Sequence, residues 1–273
     1  MKVLSLDGGG CLGISHAKIL ENVDISKFNA IIGTSIGAAV GAVLASGIDL
    51  NLPRFFHESI PKIFKGRWYK KYKPWCPRYS DKVLNNILQE LFDGTYFGDV
   101  KIPLFITAVN VNNRRLKVFY SSDNGDSSYM LWEIVRCSIA APTYFHSFSG
   151  FTDGGIYSNN PSVAAIAGVC SEFKCRVSDI ELCSIGTGLD TREVKLYEHT
   201  HLRWGLFLLN AMLNGSAGTM NDFICRQLPL KKYERIQFIR DKGWSFDNPS
   251  DMLLAENKWY NEINAATKRV EEF

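Results

Sequence analysis

From Ala30 to Ile48 the chain reads AIIGTSIGAAVGAVLASGI, without one charged residue. Gly33, Gly37 and Gly41 recur every four residues, with Ala45 next in the series. On an α-helix such positions share one face, so a helix here carries a strip almost free of side chains. That strip suits a helix pressed flat on a close-packed neighbour. The neighbour is either another helix in a membrane or a sheet in a globular fold. The uncharged run meets the requirement of about 18 residues for a membrane span. Glycine and alanine, however, gain little in lipid compared with leucine, and a strand–glycine loop–helix unit precedes the segment. The segment therefore reads as strand, sharp turn and helix.

The rest of the chain fits that reading. Val3–Leu6 is a short buried strand candidate, DGGGCLG a glycine loop, and Ile14, Ile19 and Val23 mark a helix. Strand, helix, strand, helix predicts an α/β fold with a mostly parallel sheet. Ser80 is expected to cap an amphipathic helix through Val83, Leu84, Ile87, Leu88 and Leu91. IPLFITAVNV and LKVFYSS read as strands joined by NNRR, and SYMLWEIVRCSIAAP as a helix stopped near Pro142. IELCSIGTG is a buried strand ending in a glycine turn. Beyond about Thr191 the pattern is mostly helical, with RIQFIR as a strand, LRWGLFLLNAML as a buried helix and one amphipathic helix at the end. No repeat or linker interrupts it. The expectation is one domain over 1–273, with a core over about 1–190 and a helical portion over about 191–273.

A net charge of +3 is too small to point to nucleic acid. The seven cysteines are odd in number and lack C-x-x-C spacing, so they read as mostly reduced core thiols. The apolar run after Lys2 is broken by Asp7, too early for a signal-peptide core. The expected location is cytoplasmic or peripheral to a membrane, without signal peptide or transmembrane helix.

Ser35 is the reactive group of GTSIG. A nucleophile on a strand-to-helix elbow needs a strained backbone without bulk beside it, which glycines two before and two after provide. The free amides of the following helix favour developing negative charge. Acyl transfer also needs donors for an oxyanion. Gly8, Gly9 and Gly10, directly after a strand, offer consecutive amides with no side chains in the way. The same loop lacks the lysine and Ser/Thr of a P-loop. For the base, the residues leave two readings open. One takes Asp153, in FTDGGIYSNNP, where two glycines allow close backbone approach; an ordinary Asp-Gly turn competes with it. The other takes an acid with His199 or His201, in the order of an α/β-hydrolase, although that fold builds several strands before its elbow.

Taken together and in this order, DGGGCLG, GTSIG, AAPTYF and DGGIYSNNP resemble the patatin-like phospholipase family. CSIGTG and YERIQF fit the family's later strands, so the resemblance runs from about Lys2 to Phe238. It implies a three-layer α/β/α fold with a mostly parallel central sheet. It implies a Ser-Asp dyad without histidine, with Ser35 as nucleophile, Asp153 as its partner and Gly8, Gly9 and Gly10 as the oxyanion hole. The implied activity is hydrolysis of acyl esters in membrane phospholipids, with no metal or other cofactor. An acyltransferase or thioesterase would use the same acyl-serine, and a non-catalytic lipid- or partner-binding module would keep only the fold. Where the family commonly carries a basic residue before the last glycine of its first motif, this chain has Leu12.

Between Pro61 and Tyr79 the chain has many basic residues, no acidic one and six interleaved aromatics. Phe64, Lys65, Arg67, Trp68, Lys70, Lys71 and Trp75 are its candidate membrane contacts. Single-stranded nucleic acid would suit such a mix, as would a solvated loop with inward aromatics. The reading adopted is a membrane lipid substrate and peripheral membrane contact, without nucleic acid. A protein activator and the oligomeric state are left open.

Overall fold

The computed structural model describes residues 1–66, 76–191, 204, 208, 211–212, 217–240 and 244–273. Its strands are β1 (Lys2–Leu6), β2 (Ala30–Thr34), β3 (Leu104–Asn110), β4 (Arg115–Tyr120), β5 (Phe151–Asp153), β6 (Glu181–Ile185), β7 (Leu189–Asp190), β8 (Lys232–Ile236) and β9 (Ile239–Arg240). The described helices are α1 (Ile14–Leu20), α2 (Ile36–Ser46), α3 (Leu52–Ile63), α4 (Asp81–Leu91), α5 (Leu131–Ser138), α6 (Gly155–Ser158), α7 (Ser162–Phe173), α8 (Ala217–Gln227), α9 (Pro249–Lys258) and α10 (Tyr260–Glu271).

The main sheet has the order β4-β3-β2-β1-β6-β8, with β5 also paired to β3. The pairs from β3 through β8 are parallel, whereas β4 and β5 run antiparallel to β3. Alternation along the strands divides the core. Leu4, Leu6, Ile31, Leu104, Ile106 and Ile185 join the larger apolar cluster, while Val3, Ile32, Phe105 and Leu182 join the smaller one. Helices α7 and α8 cover the smaller face, and α1 to α5, α9 and α10 the larger, giving three layers. Full burial of each such leucine contributes about 1.5–3 kcal/mol.

The register of β3 sets where the ends of β2 and β5 meet. Its edge opposite β4 is shared by two strands. β2 runs parallel to it and ends with Thr34 opposite Thr107. β5 runs antiparallel and ends with Asp153 opposite Ala108. Two strands thus meet by their C-terminal ends at adjacent positions, and the residues leaving both ends face each other.

Three segments differ from their sequence pattern. The strand expected at RIQFIR is divided: Arg235 and Ile236 end β8, which starts at Lys232 and joins the main sheet beyond β6, and Ile239–Arg240 form the short β9; the sheet therefore draws an edge strand from beyond position 190. The final helix is two helices divided at Trp259. That ring is buried and stacked on Phe238 at 4.6 Å, which fixes the break in the core. Ser80 occupies the N-cap of α4, but its side chain makes no capping bond. Of LRWGLFLLNAML, only Trp204, Leu208, Ala211 and Met212 are among the described residues; Trp204 and Leu208 are exposed rather than buried. Among the described residues no helix is long and apolar enough to cross a membrane.

Candidate active site

Ser35 sits between β2 and α2 with φ 53° and ψ −123°. A non-glycine residue there is strained, and its surroundings hold it. The Ser35 amide donates to Ser138 Oγ at 2.8 Å. The flanking glycines are required by contact: a Cβ on Gly33 would lie 2.4 Å from the Gly37 carbonyl oxygen, and one on Gly37 2.3 Å from that of Leu6. The first turn of α2 is thereby pressed on the end of β1, bringing Ser35 beside the glycine loop.

Ser35 Oγ donates to Asp153 Oδ2 at 2.6 Å, and the Gly155 amide donates to Asp153 Oδ1 at 2.7 Å. The Asp153 amide itself donates to the Ala140 carbonyl at 3.1 Å, tying β5 to the AAP turn. Gly154 has no room for a side chain, since a Cβ would lie 2.3 Å from Thr107 Oγ1. Asp153 is 2% exposed. Burial pushes its carboxyl up to about 6, although the bonds from Ser35 and Gly155 pull it down.

The three loop glycines are not equivalent. Gly8 N–H donates to the Asn159 carbonyl at 2.9 Å, so it is committed inside the protein and unavailable to a ligand. The Gly8 carbonyl accepts from Thr187 Oγ1 at 2.6 Å and from Asn159 Nδ2 at 3.4 Å. Among the described residues nothing engages the amides of Gly9 and Gly10. These two glycines line a cavity of about 450 Å³ with Ser35, Asp153, Asn159, Tyr144 and Phe246. Phe246 closes one side, and its carbonyl accepts the Cys11 amide at 2.8 Å. Below the loop Asp7 holds Arg235 in a two-pronged ion pair at 2.9 and 2.5 Å. Leu12 is fully buried in the larger apolar cluster, a place where an unpaired charge would be costly.

A second, apolar cavity of about 670 Å³, including its open mouth, continues from the first. The two share Gly10, Phe64, Ile139 and Phe145. It follows α2 past Ile36, Ala39, Val40 and Val43, between α3 and α4. The amphipathic faces of α3 and α4 supply its walls.

Among the described histidines none bonds to Ser35 or Asp153. His16 is buried against the Ile185 carbonyl at 3.1 Å, His57 pairs with Glu256 and His146 with Asp81. His199 and His201 lie outside the described residues. Of the expected membrane contacts, Phe64 turns inward: its ring packs edge-on against Tyr79 at 5.1 Å and walls both cavities. Lys65 is exposed, and Arg67, Trp68, Lys70, Lys71 and Trp75 lie outside the described residues. Ser138, Asn159, Thr187 and Phe246 were not singled out as site residues from sequence. Ser138, Asn159 and Thr187 each lie in a quoted segment and Phe246 in none, but the partner of each is remote in sequence.

Residues 4–166 match the pattern of the family described as patatin-like phospholipase. A cGAMP-activated phospholipase of Escherichia coli is 30% identical over 220 residues, covering 68% of this chain and 62% of that protein. A cGAMP-activated phospholipase of Vibrio cholerae is 26% identical over 227 residues, covering 68% of this chain and 64% of that protein. The chain therefore spans less than two thirds of the length of these relatives. The crystal structure of VipD from Legionella pneumophila superposes with a TM-score of 0.50 at 11% identity, covering 98% of this chain and 66% of that one. At that identity the likeness concerns the fold.

Proposed function

The chain belongs to the patatin-like phospholipase family, and we propose that it is a lipid acyl hydrolase working through Ser35 and Asp153. The observation that carries this reading is the 2.6 Å bond from Ser35 Oγ to a buried carboxylate, at the head of an apolar cavity. Ser35 Oγ attacks the ester carbonyl carbon while its proton passes to Asp153 Oδ2. The carbonyl π electrons move onto oxygen, and the Gly9 and Gly10 amides receive that charge. Each such donor is worth about 3–4 kcal/mol in comparable sites. As the intermediate collapses, the bond to the leaving alcohol breaks and Asp153 returns the proton to that alcohol. Water then attacks the acyl-serine, giving up its proton to Asp153; as that intermediate collapses the acyl–Oγ bond breaks, Asp153 passes the proton to Ser35 Oγ, and the fatty acid leaves.

Burial of Asp153 serves this cycle. A carboxylate in its ordinary range binds a proton weakly, whereas one pushed up to about 6 is a better acceptor near neutral pH. The apolar cavity along α2 supports a long acyl chain as the group transferred. The basic, aromatic segment from Pro61 to Tyr79 supports docking at an anionic lipid surface, with Lys65 among its contacts.

The test is mass spectrometry of products from mixed-phospholipid liposomes, with and without cGAMP because of the relatives' described activation. Wild-type protein is expected to release fatty acid and lysophospholipid, and Ser35→Ala neither. Adding a lysolipid acceptor separates hydrolysis from acyl transfer. Equal release by Ser35→Ala would contradict the assignment.

A further inference from the structure

The turn Gly186-Thr187-Gly188 closes the segment CSIGTG and takes no part in the proton transfers above. Thr187 is buried, 3% exposed, and its hydroxyl grips the Gly8 carbonyl at 2.6 Å. In a trans peptide the carbonyl of one residue and the amide of the next point in opposite directions. Holding the Gly8 carbonyl toward Thr187 therefore aims the Gly9 N–H away from it. Gly9, Gly10 and Ser35 line the catalytic cavity together. Gly8 lies close alongside: a Cβ there would be 3.3 Å from Ser35 Cβ. Gly8 has two further ties, both to Asn159: its carbonyl also accepts from Asn159 Nδ2, at the longer distance of 3.4 Å, and its amide donates to the Asn159 carbonyl at 2.9 Å, which fixes the other end of the residue.

Thr187 is itself held by the sheet. The Gly186 amide donates to the Ile236 carbonyl at 2.9 Å, and the Gly188 amide to Gln237 Oε1 at 2.9 Å. Gly186 admits no side chain beside Gln237, where a Cβ would lie 2.4 Å from Oε1, and Gly188 has φ +101°. The position of the hydroxyl is thus set by the ends of β6 and β8, independently of the glycine run it holds.

We propose that Thr187 is the positioning residue of the oxyanion hole: its hydroxyl locks the Gly8–Gly9 peptide so that the Gly9 amide meets the developing oxyanion. The proposal rests on the Ser35 hydrolase reading. Thr187 acts through the peptide and does not touch substrate. An oxyanion donor is effective because it is oriented before the reaction, and a run of three glycines has little orientation of its own.

The experiment compares wild type, Ser35→Ala, Thr187→Val and Thr187→Ser on p-nitrophenyl butyrate, with a trifluoromethyl ketone as transition-state mimic and a melting curve for each protein. Thr187→Val keeps the shape and removes the donor, while Thr187→Ser keeps the donor. Thr187→Val is expected to lower kcat about 10- to 100-fold, with KM within about twofold. It should weaken ketone binding by a similar factor, and Thr187→Ser should restore most of kcat. Wild-type kcat in Thr187→Val overturns the proposal, as does a Thr187→Ser protein equally impaired. So does a loss of kcat with a lowered melting temperature and unchanged ketone binding, which marks a purely structural role. Wild-type turnover no faster than Ser35→Ala overturns the hydrolase reading itself, and the Thr187 assignment with it.

Discussion

Ser35 Oγ donates to Asp153 Oδ2 at 2.6 Å across 118 residues of sequence. The contact follows from the sheet: β2 and β5 share one edge of β3 and end at Thr34 and Asp153, opposite the neighbouring residues Thr107 and Ala108.

The first consequence is a pH dependence of turnover. Asp153 accepts a proton only when ionised, and burial holds its carboxyl at about 6. The rate kcat/KM is expected to rise with pH through about 6 as a single ionisation and then level off. A flat profile between pH 4.5 and 7.5 would remove Asp153 from the role of base.

The same buried carboxyl lowers stability once it ionises. Its folded value lies above the ordinary 3.8, so the folded state holds the proton more tightly than the unfolded chain. That contribution is fully present below pH 3.8 and is lost as pH rises through about 6. Asp153→Asn, which never ionises, is therefore expected to gain stability over wild type as pH rises from 4 to 7, by up to about 3 kcal/mol. Urea unfolding at both pH values reads this directly; a difference that shrinks toward neutrality has the wrong sign for a buried carboxylate.

How much of this could be read beforehand depends on what leaves a mark in one place. The elbow did, because the close approach of Gly33 to Gly37 and of Gly37 to Leu6 excludes side chains, so the constraint is written as glycine. The Asp-Gly-Gly run did so for the same reason at Gly154. Strand β8 did so only in part. Glu234 pairs with Arg269 and Arg235 with Asp7, so its sequence lacks the apolar alternation of a strand; RIQFIR reaches only its last two residues, and YERIQF points to Tyr233–Ile236 through the family resemblance. Gly8 illustrates the limit for the site. A glycine run suggests three equivalent donors, but only the folded chain brings the Asn159 carbonyl to one of them. Ser138 was equally hidden, since a serine in a helix acquires its role only from the amide opposite.

The apolar cavity along α2 predicts a selectivity. Ala39 lies in its wall, three residues beyond Ile36. Ala39→Phe should fill the passage while leaving the dyad in place. Hydrolysis of p-nitrophenyl palmitate is expected to fall about 10-fold or more relative to p-nitrophenyl acetate. Equal losses on both esters would mean that the acyl chain lies elsewhere.

The basic segment predicts a lipid preference. Reversing Arg67, Lys70 and Lys71 to glutamate should lower binding to phosphatidylserine vesicles by about 100-fold or more, at about 1 kcal/mol per basic side chain. Binding of the parent protein should weaken with added salt. Sedimentation with vesicles measures both, and binding indifferent to salt and to anionic lipid would rule this segment out as the docking surface.

The most direct measurement is the initial rate of fatty-acid release from phospholipid liposomes by wild type, Ser35→Ala and Asp153→Asn, with folding of each checked by its melting curve. Ser35→Ala is expected to give no release above background, and Asp153→Asn a loss of about 10²- to 10⁴-fold. Full activity in a folded Asp153→Asn protein would contradict the dyad.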